Sequence, residues 1–353
     1  MKNRTLVKLS AIVGSLCMNL GVSAQQSTSE NLSKKLKNEV IESLISNLND
    51  NYVFPEVAAK IASDLKSKQK SGVYSKISDP KEFAKILTDD LRNISHDKHL
   101  GVRFYGDMMP DVNDAEVEKR QQEIQQHVMK VANYGFRKVE ILQGNVGYLK
   151  IDGFAPADLG ATGANASMAF LANTDAMIID LRENHGGEPE MVLFLASYFF
   201  KSDVHLNDLY YRKANRTDSF RTKDPSGARY EKPVYILTSS RTFSGGEEFA
   251  YDFQTQKRAT LIGETTGGGA NPGDEMMLKG RFSAFIPTGR AINPVTKTNW
   301  EGIGVIPDVK MAAEDALQHA HETALKSLLA MAPETYKDYF QRALDRVLKQ
   351  RRN

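Results

Sequence analysis

The stretch PVYILTSSRTFSGGEEFAYDFQTQKRATLI (residues 233–262) decides the fold class. Pro233-Val-Tyr-Ile-Leu237 is a short, continuous apolar run that reads as a strand buried on both faces. A polar turn follows, then a helix near 245–257, and Ala259-Thr-Leu-Ile262 repeats the strand pattern. Apolar strands alternating with helices predict a layered α/β domain.

The alternation extends on both sides. Residues 136–142 and 146–151, separated by Gln143-Gly-Asn145, read as a hairpin. Further strands are expected at Ala176–Leu181 and Phe282–Phe285, with helices near 189–200 and 312–331. Upstream the period changes. Leu32, Leu36, Val40, Ile41, Leu44, Ile45 and Leu48, then Val57, Ile61 and Leu65, then Phe83, Leu87 and Leu91 recur at helical spacing, which predicts three amphipathic helices. The breaks carry turn and cap residues, Asn49 to Tyr52 with Pro55, and Ser78-Asp79-Pro80. Residues 107–128 are rich in Asp, Glu, Gln and Lys and read as a solvated linker or short exposed helix.

Of 353 residues, 41% are apolar and 25% charged, which excludes collagen-like, coiled-coil and wholly disordered chains. The formal charge is +2, and Lys2, Arg4 and Lys8 lie in an acid-free opening segment. A near-neutral remainder has no global field to gather polyanions, so nucleic acid is not an expected partner. A basic start, an apolar stretch from Leu9 to Val22 and Val22-Ser23-Ala24 have the layout of a secretory signal peptide, with cleavage after Ala24 and a periplasmic or secreted product. No run reaches the length of a membrane span. Cys17 is the only cysteine and lies inside the proposed signal, so disulfides, thiolate metal sites and a cysteine nucleophile are not expected in the mature chain. The expected organisation is a signal peptide (1–24), a helical subdomain (25–106), the linker (107–128) and a core with C-terminal helices (129–353).

Ser244-Gly-Gly-Glu247 opens a helix. A serine there stands beside unsatisfied backbone N–H groups and the positive end of the helix dipole, which favour developing negative charge. The same residues fit a capping box, a purely structural role. The adjacent glycines leave the backbone open to a substrate. A second loop, Asp180-Leu-Arg-Glu-Asn-His-Gly186-Gly187, offers further N–H groups, or only turn conformations.

A serine nucleophile needs a base. Of seven histidines, His127 falls in the linker, and His319 and His321 in a late helix that reads as exposed. His99 is preferred, since it lies where the last bundle helix gives way to the extended segment Leu100-Gly-Val-Arg-Phe104; His96 is its rival. A His96/His99 metal site lacks the further ligands of known zinc spacings. Glu301 is a third candidate, although exposed glutamates are ordinarily solvated surface residues.

Six ordered blocks together resemble the tail-specific (C-terminal processing) serine peptidases and their relatives, the tricorn core protease and interphotoreceptor retinoid-binding protein: DKHLGV (97–102), GNVGYLKIDGF (144–154), DLRENHGG (180–187), TSSRTFSGGEEFAY (238–251), IGETTGGGANPG (262–273) and EGIGVIPD (301–308). The resemblance implies a ClpP/crotonase-like β-β-α spiral core beside an N-terminal helical bundle, peptide or protein substrates, and no metal or cofactor. Ser244 matches the nucleophile, and the amide of Gly245 with that of Gly186 or Gly187 matches the oxyanion hole. The lysine base of the processing branch is replaced here by Gly269. His99 and Glu301 match the histidine and glutamate of the tricorn-like branch, although Lys98 stands where that branch has serine. The chain has no spare length for a PDZ insertion. Two other readings are a non-catalytic carrier of retinoid-like or fatty ligands and a silent scaffold.

Overall fold

The computed structural model describes residues 32–106, 123–124 and 126–350. The proposed signal peptide, with Cys17, and most of the proposed linker lie outside the described residues. Along the chain run α1 (Lys34–Asn51), α2 (Pro55–Lys70), α3 (Pro80–Ser95), β1 (Gly101–Phe104), β2 (Phe136–Leu142), β3 (Val146–Ile151), α4 (Ala157–Leu171), β4 (Ala176–Asp180) and α5 (Pro189–Ala196). Then come β5 (His205–Tyr211), β6 (Arg216–Arg221), β7 (Val234–Thr238), α6 (Gly245–Thr255), β8 (Thr260–Gly263), β9 (Gly273–Met277), β10 (Phe282–Pro287), β11 (Gly289–Ile292), β12 (Val309–Lys310), α7 (Ala313–Met331) and α8 (Glu334–Gln350). The expected α/β core and helical N-terminal region are both present.

The chain forms two compact units, each discontinuous in sequence: residues 1–128, 209–218 and 271–291, and residues 129–208, 219–270 and 292–353. The first unit takes two segments from far downstream, so neither unit is a single stretch of sequence. In that unit α1–α3 pack on an antiparallel sheet of order β1–β10–β9. Their apolar stripes meet Leu278, Phe282, Ala284 and Ile286 in one core. Capping sets the helix starts. The Ser33 hydroxyl accepts the Leu36 N–H at 3.1 Å, and the Asp79 carboxylate accepts those of Lys81 and Glu82 with Pro80 at the first helical position.

The second unit is built on a six-stranded sheet of order β12–β8–β7–β4–β3–β2. All pairs are parallel except the β2–β3 hairpin, whose turn places Gly144 at φ 75° and Asn145 at φ 57°. Side chains alternate across such strands. Tyr148, Ile178, Tyr235, Leu237 and Ile262 meet α7 and α8 in one apolar cluster. The intervening residues Met177, Ile179, Ile236 and Leu261 are also fully buried. His321, expected on an exposed helix face, is instead buried in α7 and its Nε2 lies 2.8 Å from the Gln143 carbonyl of the hairpin turn. A third sheet has the order β11–β5–β6.

Parallel strands leave their carboxyl ends together, and the loops after β4, β7 and β8 therefore gather at one edge of the sheet. Every candidate residue of the second unit except Glu301 lies on those loops or at the helix start that follows.

Candidate active site

Ser244 immediately precedes α6 and takes φ 53°, ψ −122°. An N-cap is ordinarily extended, so this is not a simple cap conformation. A non-glycine residue held there carries strain of about 1–3 kcal/mol and persists only where its surroundings over-determine it. In α/β hydrolases a strained strand-to-helix turn presents a nucleophilic serine. The surroundings here are specific. Phe243 N–H donates to Asn184 O at 2.9 Å, Thr242 Oγ1 to Leu181 O at 2.8 Å and Ser239 Oγ to Arg182 O at 2.5 Å, which ties the loop after β7 to the loop after β4.

The loop after β4 supplies the glycines. Asn184 is fully buried; its Nδ2 donates to Ile151 O at 3.0 Å and its Oδ1 accepts the Gly186 N–H at 2.8 Å. Gly187 follows at φ 139°, and a Cβ there would lie 2.0 Å from Phe154 O, so only glycine fits. Since the Gly186 N–H is taken by Asn184, the donors left on this side are those of Gly187 and Gly245. Among the described residues neither meets an acceptor. They are close together, with Gly187 N 3.1 Å from the position a Cβ on Gly245 would occupy. Two N–H groups converging beside a serine at a helix N-terminus can hold a developing oxyanion.

Glu247, three residues into the same sequence, is wholly buried. It accepts the Ser244 N–H at 2.9 Å, as a capping-box glutamate does, and also the Thr266 hydroxyl at 2.5 Å and the Gly268 and Gly269 N–H groups at 2.6 and 2.8 Å. Burial pushes its pKa up to about 6 against these four donors. Gly269 thus spends its N–H on Glu247 and its carbonyl on Trp300 Nε1 at 2.8 Å. Glu301 is half-buried beside that loop and accepts the Ala270 N–H at 2.5 Å, while its own N–H donates to Asn299 Oδ1.

In the first unit α3 ends at Ser95, and exposed His96 follows in a left-handed conformation, φ 58°. Asp97, buried, accepts the His99 N–H at 2.9 Å, the Asn271 amide at 2.9 Å and the Tyr52 hydroxyl at 3.2 Å. Arg92 clasps the carbonyls on either side, Lys98 and Leu100, at 2.7 Å each. The His99 ring stacks on Phe285 at 5.8 Å between centroids. Burial pushes the His99 pKa down to about 4, with Asp97 opposing the shift and Arg92 adding to it.

Ser244, Gly186, Gly187 and Gly245 are therefore brought together, and Glu301 adjoins the glycine loop of the same unit, while His99 belongs to the first unit. Asn184 and Asp97 are not among the residues predicted from sequence, and the spacing of Glu247 from Ser244 predicts only a cap. A signal was available for two of them. Asp97, Asn184 and Asn299 each hold the N–H of the residue two places on, His99, Gly186 and Glu301, in Asx turns.

The fold is thus that of an α/β protein whose serine turn is rimmed by two glycine loops. The sequence model of peptidase family S41 matches residues 145–311, and that of the N-terminal domain of peptidase S41 in eukaryotic IRBP matches residues 30–142. Solved structures share the fold at low identity. Mature CPAF superposes with a TM-score of 0.59 at 12% identity, covering 84% of this chain and 97% of that one. A candidate peptidase of Parabacteroides merdae gives 0.54 at 19%, covering 80% and 92%, and a lipoprotein of Streptococcus agalactiae 0.53 at 14%, covering 87% and 99%. The chain belongs to peptidase family S41.

Proposed function

We propose that the chain is an exported serine peptidase that hydrolyses peptide bonds through an acyl-enzyme on Ser244. His99 takes the hydroxyl proton as Ser244 Oγ attacks the substrate carbonyl, then delivers it to the leaving amine. The Gly187 and Gly245 N–H groups hold the oxyanion, and Glu301 orients His99. Water released against the acyl group by the same base completes the cycle. The depressed pKa of His99 keeps its imidazole neutral and able to accept a proton through neutral and mildly acidic pH.

The observation that carries this reading is the conformation of Ser244, φ 53° and ψ −122°, beside two N–H groups that meet no acceptor among the described residues. Purified residues 25–353 are expected to cleave denatured protein or oligopeptides and to be labelled by a serine-directed phosphonate, with both properties lost in Ser244→Ala. Hydrolysis unchanged in that variant would reject the mechanism. His99→Ala is expected to depress kcat by several orders of magnitude and His96→Ala far less, and the reverse ranking would move the base to His96.

The match of residues 30–142 to a domain found in eukaryotic IRBP favours a second reading, a carrier of retinoid-like or fatty ligands. It requires micromolar uptake of a fluorescent fatty acid that is indifferent to Ser244→Ala.

A further inference from the structure

We propose that Glu247 is a positioning residue for the nucleophile turn, and that protonation of its carboxylate releases Ser244 from its working geometry. The inference deepens the reading of Ser244 as nucleophile and rests on it.

An ionised carboxylate offers about four lone-pair sites. At Glu247 all are filled, two on each oxygen. Oε1 accepts from Thr266 Oγ1 and Gly268 N, and Oε2 from Ser244 N and Gly269 N. A proton on either oxygen must therefore displace one of the four donors. Three are backbone N–H groups, which cannot turn away without moving the chain. The fourth, Thr266 Oγ1, accepts the Val305 N–H at 2.6 Å, and its own hydrogen has no acceptor other than Glu247 among the described residues, so turning that hydroxyl round would leave its hydrogen unsatisfied.

The two displaced partners that matter are joined through this one side chain. The Ser244 N–H anchors the strained turn, and the Gly268 and Gly269 N–H groups anchor the loop that presents the Ala270 N–H to Glu301. A strained φ/ψ relaxes when one of the contacts that over-determine it is lost. A cap whose only task was to start the helix would need one acceptor site, not four.

The groups acting on Glu247 are all neutral: Ser244 and its turn, Thr266, and the backbones of Gly268 and Gly269. Its charged neighbour in sequence, Glu248, faces Asn207 and Glu190 instead. Burial is thus the main influence on the protonation of Glu247, and it holds the transition at about 6. His99 titrates lower, at about 4, so an acid limb near 6 reports on a different group.

The test is the pH dependence of kcat, KM and the rate of Ser244 labelling by a serine-directed phosphonate, from pH 5 to 8, in the full mature chain. Wild-type kcat and labelling are expected to fall about tenfold or more across a limb near pH 6, with KM little changed. Glu247→Gln, which mimics the protonated form, is expected to lie at least about tenfold below wild type at pH 8 and to lack the limb. Glu247→Asp keeps the charge and is expected to recover a limb. A folded Glu247→Gln protein with wild-type kcat, or with the limb intact, overturns the proposal. If neither variant folds, the wild type decides, since a labelling rate that is flat between pH 5 and 7.5 overturns it equally. Hydrolysis that survives Ser244→Ala would instead sink the nucleophile assignment, a separate outcome.

Discussion

Gly186 and Ser244 stand so close that a methyl group on the glycine would lie 2.6 Å from the serine Cβ and 2.8 Å from Gly245 N. Real Cβ atoms do not approach that far, and Gly186 also has φ 95°, a conformation that alanine adopts only with strain. Gly186→Ala is therefore expected to push the serine turn aside. Peptide hydrolysis should fall about a hundredfold or more, comparable to loss of one oxyanion donor, while stability falls by about 1–3 kcal/mol. Steady-state kinetics beside a urea melt separate the two effects, and wild-type turnover would show that the turn has room to spare.

Lys37 predicts a stability effect remote from the chemistry. Its Nζ is buried and donates to the carbonyls of Tyr74, Ser75 and Ile77 at 2.9, 3.0 and 2.9 Å, closing the segment between α2 and α3. Lys37→Met preserves the apolar stem but leaves these acceptors without a donor, at a cost of about 1–3 kcal/mol. Equilibrium denaturation should show the loss.

The depressed pKa of His99 has a thermodynamic counterpart. A neutral imidazole is favoured in the folded chain and the unfolded chain takes the proton first, so stability falls as pH drops below about 6.5 and the loss is complete below about 4. The full shift corresponds to roughly 3 kcal/mol. His99→Gln has no such proton to bind, and thermal melts between pH 7 and 4 should show a shallower decline for the variant. Parallel declines would mean that His99 is solvated.

Glu248 and Asp252 give the opposite sign. Both are buried in α6, one turn apart, with Glu248 accepting from the Asn207 amide at 3.0 Å and Asp252 near that of Asn293. Burial pushes Glu248 up to about 7 and Asp252 well above the usual carboxylate range, each carboxylate aggravated by a neighbouring negative charge. The folded state thus prefers the neutral forms, and stability is lost as pH rises through about 7. Glu248→Gln retains the acceptor for Asn207 and is expected to be more stable than wild type by about 1–3 kcal/mol at pH 8.5, with the gain vanishing at pH 4. Melting temperatures at the two pH values provide the check.

The buried strands and the strongly amphipathic helices were legible because their patterns are set by one partner surface. Ala176–Asp180 and Val234–Thr238 are buried throughout, apolar up to their last residues, and sit in the middle of the sheet. Helix α4 was not legible. Its sequence, ADLGATGANASMAFL, carries two glycines that weaken helix propensity. A Cβ on Gly163 would lie 3.1 Å from the Phe136 ring and one on Gly160 3.4 Å from the Met191 sulfur, so the small residues serve close packing, which composition does not announce. Ser244 and the glycine loops could be found as motifs, whereas Glu301 was reached only through the resemblance of its sequence block. That Gly186 surrenders its N–H to Asn184, leaving Gly187 as the donor, depends on side-chain direction and needed coordinates.

The chain passes from one compact unit to the other after residues 128, 208, 218, 270 and 291. The apolar face of the N-terminal helices is closed by Phe282, Ala284 and Ile286, which a ribosome makes last among that unit's parts. Nascent protein must therefore carry an uncovered hydrophobic bundle through most of its synthesis. No contiguous piece of the gene encodes either half alone, so a fragment ending at residue 128 should aggregate where the whole chain folds.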